Sequence, residues 1–513
     1  MSMDSIIGRD VVARKRTDLF GRTKLVATPI KLTAANIALV MNEVMPTHYK
    51  NSEDTDYLYW YYRGNQPARG RKKSVRQDIN NVVIENGAYE IVEFKKGYEF
   101  SHPVQYTNAG KKDGDNIDVL NTYARLDKKE AKDALLAEWF YICGTASRIC
   151  LPNPAPVITI DDAPYYTDVL DPRYTFHVYE NGIGSRKMFS GTYAIQTYLD
   201  ISGITKKQKI FGVWTDDKYF TFTLQDGNSD FAKAIVTEAA NKLRLIPIIE
   251  YPLNDSRLGV IEVVMSLLNG VNTIDSNLTD FIEQVVQSLL VFVNCQLPDK
   301  KDEDGNVILD ENGQPVKIIP RSGGAVDIQG MPGLPADVKY LFAKLNQSET
   351  QNTKENFRNA SFSISGVPSM IEASTGGTTG QAEFLRGGWP RAEARAKSTE
   401  KMFKQAEMDY LRVVLTICRN IRSSADMIGD LALGDIEIKL PRTRSDNMLV
   451  KAQALKMLLD CGVAPDVAYA VCELFYDSNA TWSKSKAFQE EDAEWVDAKL
   501  RLASKVESIA DIH

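Results

Sequence analysis

Between residues 254 and 294 apolar side chains recur every three or four positions, at Leu258, Ile261, Met265, Leu268, Val271, Ile274, Leu278, Phe281, Val285, Leu289 and Phe292. A stripe of that period is one face of an α-helix. It predicts one helix roughly 50 Å long, at about 1.5 Å per residue, or two helices broken at Asn269–Gly270. A rod of that length must bury its stripe on another element. The opposite face carries Glu262, Ser266, Asn269, Thr273, Asn277, Asp280 and Gln284. These are small and polar or acidic, which suits a water-filled passage and plain solvent equally.

Helical spacing resumes in ADVKYLFAKLNQSETQNTKENFRNASFSI and stops at Gly366-Val367-Pro368, a helix terminator. The stretch SMIEASTGGTTGQ that follows is small, flexible and almost uncharged. A second long helical region runs from about Ala382 to Arg422. Its Gly387-Gly388-Trp389-Pro390 predicts a kink or a restart, because proline cannot continue the preceding ladder. Nearer the start, LTAANIALVMNEVM predicts a helix from about Thr33, followed by the aromatic anchor DYLYWYYRG and a basic loop. Residues 81–250 read as α+β. LDKKEAKDALLAEWFYICGTASRI has helical spacing at Leu135, Trp139 and Ile142, whereas YTFHVYENGIGSRKMFSGTYAI and KIFGVWTDDKYFTFTLQDGN alternate around turns as antiparallel hairpins do. Residues 295–335 break the helical period. The run DEDGNVILDENG has calcium-loop composition without EF-hand spacing, and predicts a hairpin turning at Asp310-Glu311-Asn312-Gly313. From about Ser445 small helices joined by a short turn are expected.

At 513 residues the chain is too long for one core and predicts about three or four packed units. No apolar run reaches a membrane span, and the N-terminus lacks a signal-peptide core, so synthesis and use in the cytoplasm are expected. The six cysteines (Cys143, Cys150, Cys295, Cys418, Cys461, Cys472) form no CxxC pair and read as buried apolar residues. The net charge is −7. Proteins that grip DNA through its phosphates are usually basic, so tight DNA binding is not expected, although a surface that DNA slides past remains compatible. Arg69, Arg71, Lys72, Lys73 and Arg76 form a basic run that reads as a solvated loop or as a patch for nucleic acid or an acidic neighbour.

Catalytic chemistry has no anchor in the sequence. The four histidines (His48, His102, His177, His513) are widely separated, and there is no HExxH, no GxxxxGK[ST] phosphate loop and no GxSxG elbow. Asp216-Asp217 sits in an apparent turn. No enzyme, no metal and no cofactor is assigned.

The order of these segments, with several local motifs, resembles the portal proteins (head-to-tail connectors) of tailed bacteriophages, of the type found in long-tailed phages of Gram-positive hosts. Three stretches between about residues 50 and 490 carry the resemblance. YWYYRG, followed by VRQDINNVVIENGAYEIVEFKKGYEFSHPVQY, looks like the start of the portal wing, with Ser101-His102-Pro103 in place of the usual glycine-containing turn. IPIIEYPLNDSRLGVIEVVMSLLNGVNTIDSNLTDFIEQV is similar to the family's proline-containing strand feeding its stem helix. ISGVPSMIEASTGGTTGQAEFL is similar to the tunnel-loop segment, with Thr379, Gly380 and Ala382 matching its Ser/Thr-Gly-x-Ala step. The Gly-Gly-Trp-Pro that follows departs from the family.

What the resemblance implies is an α+β portal fold with a wing (1–253), a stem helix (254–294), a small β-containing clip (295–336) and a returning stem helix (337–366). A tunnel loop (367–381), a long wing helix with a following strand (382–444) and a helical crown with tail (445–513) complete it. It implies a ring, usually dodecameric, in the virion at the unique capsid vertex. Double-stranded DNA passes through without sequence specificity. The partners implied are the terminase large subunit, then the head-tail connector or adaptor, with major capsid and scaffold proteins around the ring and no membrane. Twelve copies at −7 would carry roughly −84, and a weakly adhesive channel suits DNA that must move. The tunnel-loop residues are Ser369, Met370, Ile371, Glu372, Ser374, Thr375, Gly376, Gly377, Thr378 and Thr379. They offer hydrogen bonds and van der Waals contact without positive charge, so they can touch the duplex backbone without reading its sequence. Asp302, Glu303, Asp304, Asp310 and Glu311 are the expected partner-docking acids of the clip. The competing reading is a ring of the phage neck or baseplate that conducts no DNA, and a nuclease with an acidic cluster is more distant.

Overall fold

The computed structural model describes residues 21–490 apart from 74–76, 110–114, 156–158, 160, 200–201, 204, 226, 287–288, 297–298, 303, 319–328, 331–332, 334–336, 342–346, 369–387, 422–426, 443–447, 473, 475–480 and 483. In chain order the elements begin with β1 (Leu25–Ala27), α1 (Ile37–Tyr62), α2 (Gly87–Glu99), β2 (Gln105–Asn108), α3 (Asp115–Leu126) and α4 (Lys129–Cys143). The strands β3 (Thr145–Pro152), β4 (Tyr165–Leu170), β5 (Thr175–Glu180), β6 (Lys187–Leu199), β7 (Thr205–Trp214), β8 (Lys218–Gln225), β9 (Ile235–Ala240) and β10 (Ile248–Pro252) follow. Then come α5 (Met265–Val286), β11 (Leu289–Val293), β12 (Cys295–Gln296), β13 (Gln329–Gly330), β14 (Asp337–Leu341) and α6 (Gln347–Ser365). The last are α7 (Trp389–Asn420), β15 (Ile436–Lys439), α8 (Met448–Asp460) and α9 (Pro465–Cys472). The class is α+β, as expected.

Two compact units divide the chain: residues 1–65, 86–266 and 359–513 form the first, and residues 66–85 and 267–358 the second. In the first unit a six-stranded sheet runs β1-β5-β6-β7-β8-β9, antiparallel except for the β1–β5 edge. Both expected hairpins are present in it, and Asp216-Asp217 lies in the β7–β8 turn. The inward side chains Phe176, Phe189, Phe211, Phe220, Phe222 and Phe231 pack beneath Ile37, Met41, Val44 and Met45 of α1. Burying each such ring stabilises by about 1.5–3 kcal/mol. α1 runs unbroken through the aromatic anchor to Tyr62, because Tyr57, Leu58, Tyr61 and Tyr62 continue its buried face.

A second focus of this unit is ionic. α4 turns Leu136, Ala137 and Phe140 inward with Lys129 and Asp133, whereas Leu135, expected in the stripe, is 56% exposed. Around Lys129 and Asp133 close Arg148 of β3 and Glu407 of α7, all buried. Tyr106 of β2 and Tyr251 of β10 each donate to Glu407 at 2.7 Å. Five elements therefore meet on one carboxylate.

Several expected elements differ. The predicted 254–294 helix is α5 alone. Before it the chain turns, with Asn254 accepting from the Leu258 N–H and Arg257 at φ +51°. After it LLVFV is strand β11, paired antiparallel with β14; a wholly apolar run satisfies any period. Gly270 does not break α5: a Cβ there would lie 2.8 Å from the Phe357 ring, so glycine serves close approach. The returning helix expected over 337–366 is strand β14 followed by α6. α6 ends as expected, the Val367 N–H reaching the Phe362 carbonyl at 2.9 Å and Gly366 at φ +78°. The Gly-Gly-Trp-Pro interruption is the start of α7, with Gly388 at φ +83° and Pro390 in the first turn. α8 and α9 are the expected short-turn pair. Cys143, Cys150, Cys418 and Cys472 are buried, but Cys461 is exposed in the turn after α8. Among the described residues no helix is long and apolar enough to cross a membrane, and none of their acidic, histidine and cysteine side chains cluster to hold a metal.

Candidate functional site

In the second unit, the described residues of 66–85 form a strap along α5. The helix offers Asn272, Ser276 and Asp280, four residues apart and so on one face. The strap answers with alternate residues. The Glu85 N–H donates to Asn272 Oδ1 at 2.9 Å, the Val83 N–H to Ser276 Oγ at 3.0 Å, and the Asn81 N–H to Asp280 Oδ1 at 2.6 Å. Ser276 returns a bond to the Val83 carbonyl at 3.2 Å, and Asn81 Nδ2 reaches Glu283 at 2.6 Å. Two residues of extended chain advance about 6.6 Å and four residues of helix about 6 Å, which is why the two periods engage.

The basic run lies on this strap. Arg71 donates to Asp280 at 3.0 Å and to Asn277 at 2.8 Å, and Lys73 pairs with the same Asp280. Burial alone would raise the Asp280 pKa, but hydrogen bonds from Lys73 and Asn81 and the charge of Arg71 hold it below the ordinary range. Arg69 and Lys72 are exposed, and Arg76 lies outside the described residues. Arg71 and Lys73 thus meet an acid of their own unit.

α6 is tied to α5 through Lys354, 2.8 Å from Asp275, and to the strap through Lys354 and Arg358, 3.0 and 3.2 Å from Glu85. Of the polar face read from the sequence, both acids are engaged. Asp280 is held by the strap, and in the first unit Glu262 is held by Arg22 and the N–H groups of Gly21 and Gly259. Thr273, Asn277 and Gln284 are exposed, so the open part of that stripe in the second unit is uncharged.

The expected hairpin at 310–313 is part of a three-segment knot. Segments 299–301, 307–309 and 315–317 are each bridged to both others. A ring of backbone bonds joins their centres: Lys300 N–H to the Val316 carbonyl (2.7 Å), Ile308 N–H to Lys300 (2.8 Å) and Val316 N–H to Ile308 (2.9 Å). Two like turns link them. Asp302 Oδ1 accepts from the N–H of residues 304 and 306, and Asp310 Oδ1 from 312 and 314, with Gly305 and Gly313 at φ +88° and +77°. The signal in the sequence is an eight-residue repeat, DKKDEDGN then VILDENGQ. Asp302, Asp304, Asp310 and Glu311 are all exposed, and Glu303 lies outside the described residues.

The ten residues expected to form a tunnel loop, from Ser369 to Thr379, also lie outside the described residues. The two chain ends that bracket them do not. A Cβ on Gly388 would lie 3.7 Å from the Cα of Pro368, Arg395 packs its stem on Gly366, and Arg391 hydrogen-bonds Ser363. The chain on either side of residues 369–387 therefore meets at one closed base. Arg391 and Arg395 hold that base and were not singled out from the sequence; their spacing just inside the restart at Pro390 is the available clue.

The sequence matches the family described as "Phage portal protein, SPP1 Gp6-like" over residues 47–494. No curated protein matches it. Among solved structures, it is similar to a chain of the neck of an empty GTA particle computed with C6 symmetry, at 13% identity and TM-score 0.38, covering 76% of this chain and 90% of that one. A chain of the virion of a native gene transfer agent particle matches at 11% identity and TM-score 0.37, with the same coverage of 76% and 90%. A chain of the native GTA neck computed with C12 symmetry matches at 12% identity and TM-score 0.33, again covering 76% and 90%. With the family match spanning most of its length, the chain belongs to the phage portal proteins, in their SPP1 Gp6-like family.

Proposed function

We propose that this chain is the subunit of a portal ring, dodecameric in the virion of a long-tailed phage of a Gram-positive host. The ring stands at the single capsid vertex through which double-stranded DNA is packaged and ejected. The observation that carries this reading is the family match over residues 47–494. The uncharged stripe of Thr273, Asn277 and Gln284 faces the DNA path, where polar side chains without fixed charge neither bind phosphate nor repel it. The segment after Pro368 is the tunnel loop, and the 299–317 knot is the tip of the clip, presenting its acids to the terminase large subunit and then to the head-tail connector.

The test is the mass and rotational symmetry of the purified protein, by native mass spectrometry and negative-stain imaging, for the parent chain and for a chain lacking residues 371–379. Both are expected to form closed rings with a hole wide enough for a duplex, and only the deletion is expected to lose packaged or retained DNA. A small closed dimer or trimer would replace the portal reading with a non-conducting neck or baseplate protein. Loss of the ring in the deletion alone would make the loop a structural element.

Reversing charge at Asp302, Asp304 and Asp310 is expected to weaken terminase or connector docking. Asp302 and Asp310 also hold their turns, so the discriminating variant is Glu311→Lys with Asp304→Lys, whose carboxylates accept no turn bond among the described residues. Pull-down of the partner at wild-type strength with this pair would sink the docking assignment.

A further inference from the structure

The sequence holds four Asn–Gly pairs: Asn86–Gly87, Asn181–Gly182, Asn269–Gly270 and Asn312–Gly313. Such a pair can modify itself. The glycine N–H loses its proton to solvent base and attacks the asparagine Cγ; a C–N bond forms, the carboxamide C–N bond breaks, and ammonia leaves. Water then opens the five-membered imide at either carbonyl, giving aspartate or isoaspartate. The step needs a free carboxamide, a free glycine N–H and a backbone able to rotate.

Three of the pairs are locked. Asn86 caps α2: its Oδ1 accepts from the Tyr89 N–H and its Nδ2 donates to the Tyr62 carbonyl at 2.8 Å, while Gly87 is buried. Asn269 lies within α5, where the Gly270 N–H belongs to the helical ladder and the Phe357 ring closes on Gly270. In the acidic turn the Gly313 N–H donates to the Asp310 carbonyl at 2.9 Å.

Asn181 differs from all three in its glycine N–H, and from Asn86 and Asn269 also in its open surroundings. It is exposed at the β5–β6 turn, and among the described residues neither its carboxamide nor the Gly182 N–H has a hydrogen-bond partner. Gly182 stands at φ +151°, and nothing lies within 4 Å of where its Cβ would be; the same holds for Gly184 at φ +89°. Between them Ile183 is fully exposed. Only the N–H of Asn181 itself is tied, to the Ala27 carbonyl of β1 at 2.8 Å, and this side of the residue takes no part in the reaction.

We propose that Asn181 is a site of spontaneous deamidation, the one of the four pairs that the folded chain leaves open to it. Each conversion adds a negative charge to the turn, and the isoaspartate product adds a methylene to the main chain directly after the N–H that holds β1.

The test is incubation of the full-length protein in mildly alkaline, oxygen-labelled water, followed by peptide mapping by mass spectrometry. The peptide carrying Asn181 is expected to take up label at least about tenfold faster than the other three, the rate ratio that one retained hydrogen bond of about 1.4 kcal/mol would give. In denaturant the four rates should converge. Equal labelling of another pair in the native protein would overturn the assignment, as would a lead for Asn181 that persists in denaturant. Asn181→Gln should abolish labelling of that peptide, and labelling that continues would place the reaction at another residue.

Discussion

Replacing Glu407 by alanine is expected to cost on the order of 3–5 kcal/mol of stability, the largest loss of any single substitution on α7. The buried set is neutral as it stands, with Lys129 and Arg148 against Asp133 and Glu407. Removing Glu407 leaves two cations facing one carboxylate without water, and strands the hydroxyls of Tyr106 and Tyr251. Burial alone would raise the Glu407 pKa, but Lys129 and Arg148, with the hydrogen bonds of Lys129 and Tyr106, hold the carboxyl below the ordinary range. The measurement is the chemical denaturation midpoint. Glu400→Ala, which removes the half-exposed pair with Lys404 but also one of two contacts to Arg442, should cost less. Lys129→Met combined with Glu407→Met should recover much of the loss, since a neutral apolar pair restores charge balance. A Glu407→Ala midpoint within experimental error of the parent would mean that the five elements do not depend on this carboxylate.

The second large effect is acid destabilisation that begins above the carboxylate range. Burial pushes the pKa of His48 from 6.5 down to about 3, and burial likewise brings His177 to about 3 despite the opposing charge of Glu250. In the unfolded chain both return to about 6.5. Between those values the unfolded state binds protons that the folded state does not, so stability is whole above pH 6.5 and falls as pH drops through it. At pH 5 the loss is roughly 2 kcal/mol for each histidine. Glu250, held low by Arg257 against its own burial, adds stability that is whole above its unfolded value of 4.5 and is lost only below it, outside this window.

His48→Phe separates the two histidines. His48 sits against Phe176, Tyr193 and Tyr49 at centroid distances of 5.3, 5.7 and 5.9 Å, and its Nε2 has no hydrogen-bond partner among the described residues. A phenyl ring fits those neighbours, so stability at pH 7.5 should hold while the slope between pH 6.5 and 5 drops by about half. An unchanged slope would remove His48 from the account. His177 is less replaceable, because Ser147 and Ser190 each meet one of its ring nitrogens at 2.8 Å.

These effects also mark where the sequence was legible. Local chemistry read correctly: the alternation of β5 to β8, the Gly366 terminator and the Trp389-Pro390 restart each depend on residues within a turn of one another. The ends of α5 were misread because LLVFV and the Leu258–Ile261 segment are apolar enough to satisfy a helical period while folding otherwise. The strap was invisible for a different reason. Asp280 reads as part of an open polar face and Asn272 and Ser276 carry no signal of their own, because their partners lie roughly 190 to 200 residues earlier in the chain. The 299–317 knot carried a local repeat, but its closure through Lys300, Ile308 and Val316 is a property of three segments together. After Pro368 the expected tunnel-loop residues, named from the family resemblance, lie outside the described residues, and the fold supplies only the closed base at Gly388.

The strap and α5 behave as a vernier. Their graduations, about 6.6 Å on one and about 6 Å on the other, agree at one mark and part by roughly half an ångström at each further mark. Three rungs fit within the tolerance of a hydrogen bond. At the third, Asn81 already spreads its contacts over Asp280 and Glu283, and the ion pairs of Arg71 and Lys73 take over where the scales diverge. The length of helix that the strap can cover is thus set by the ratio of two backbone repeats.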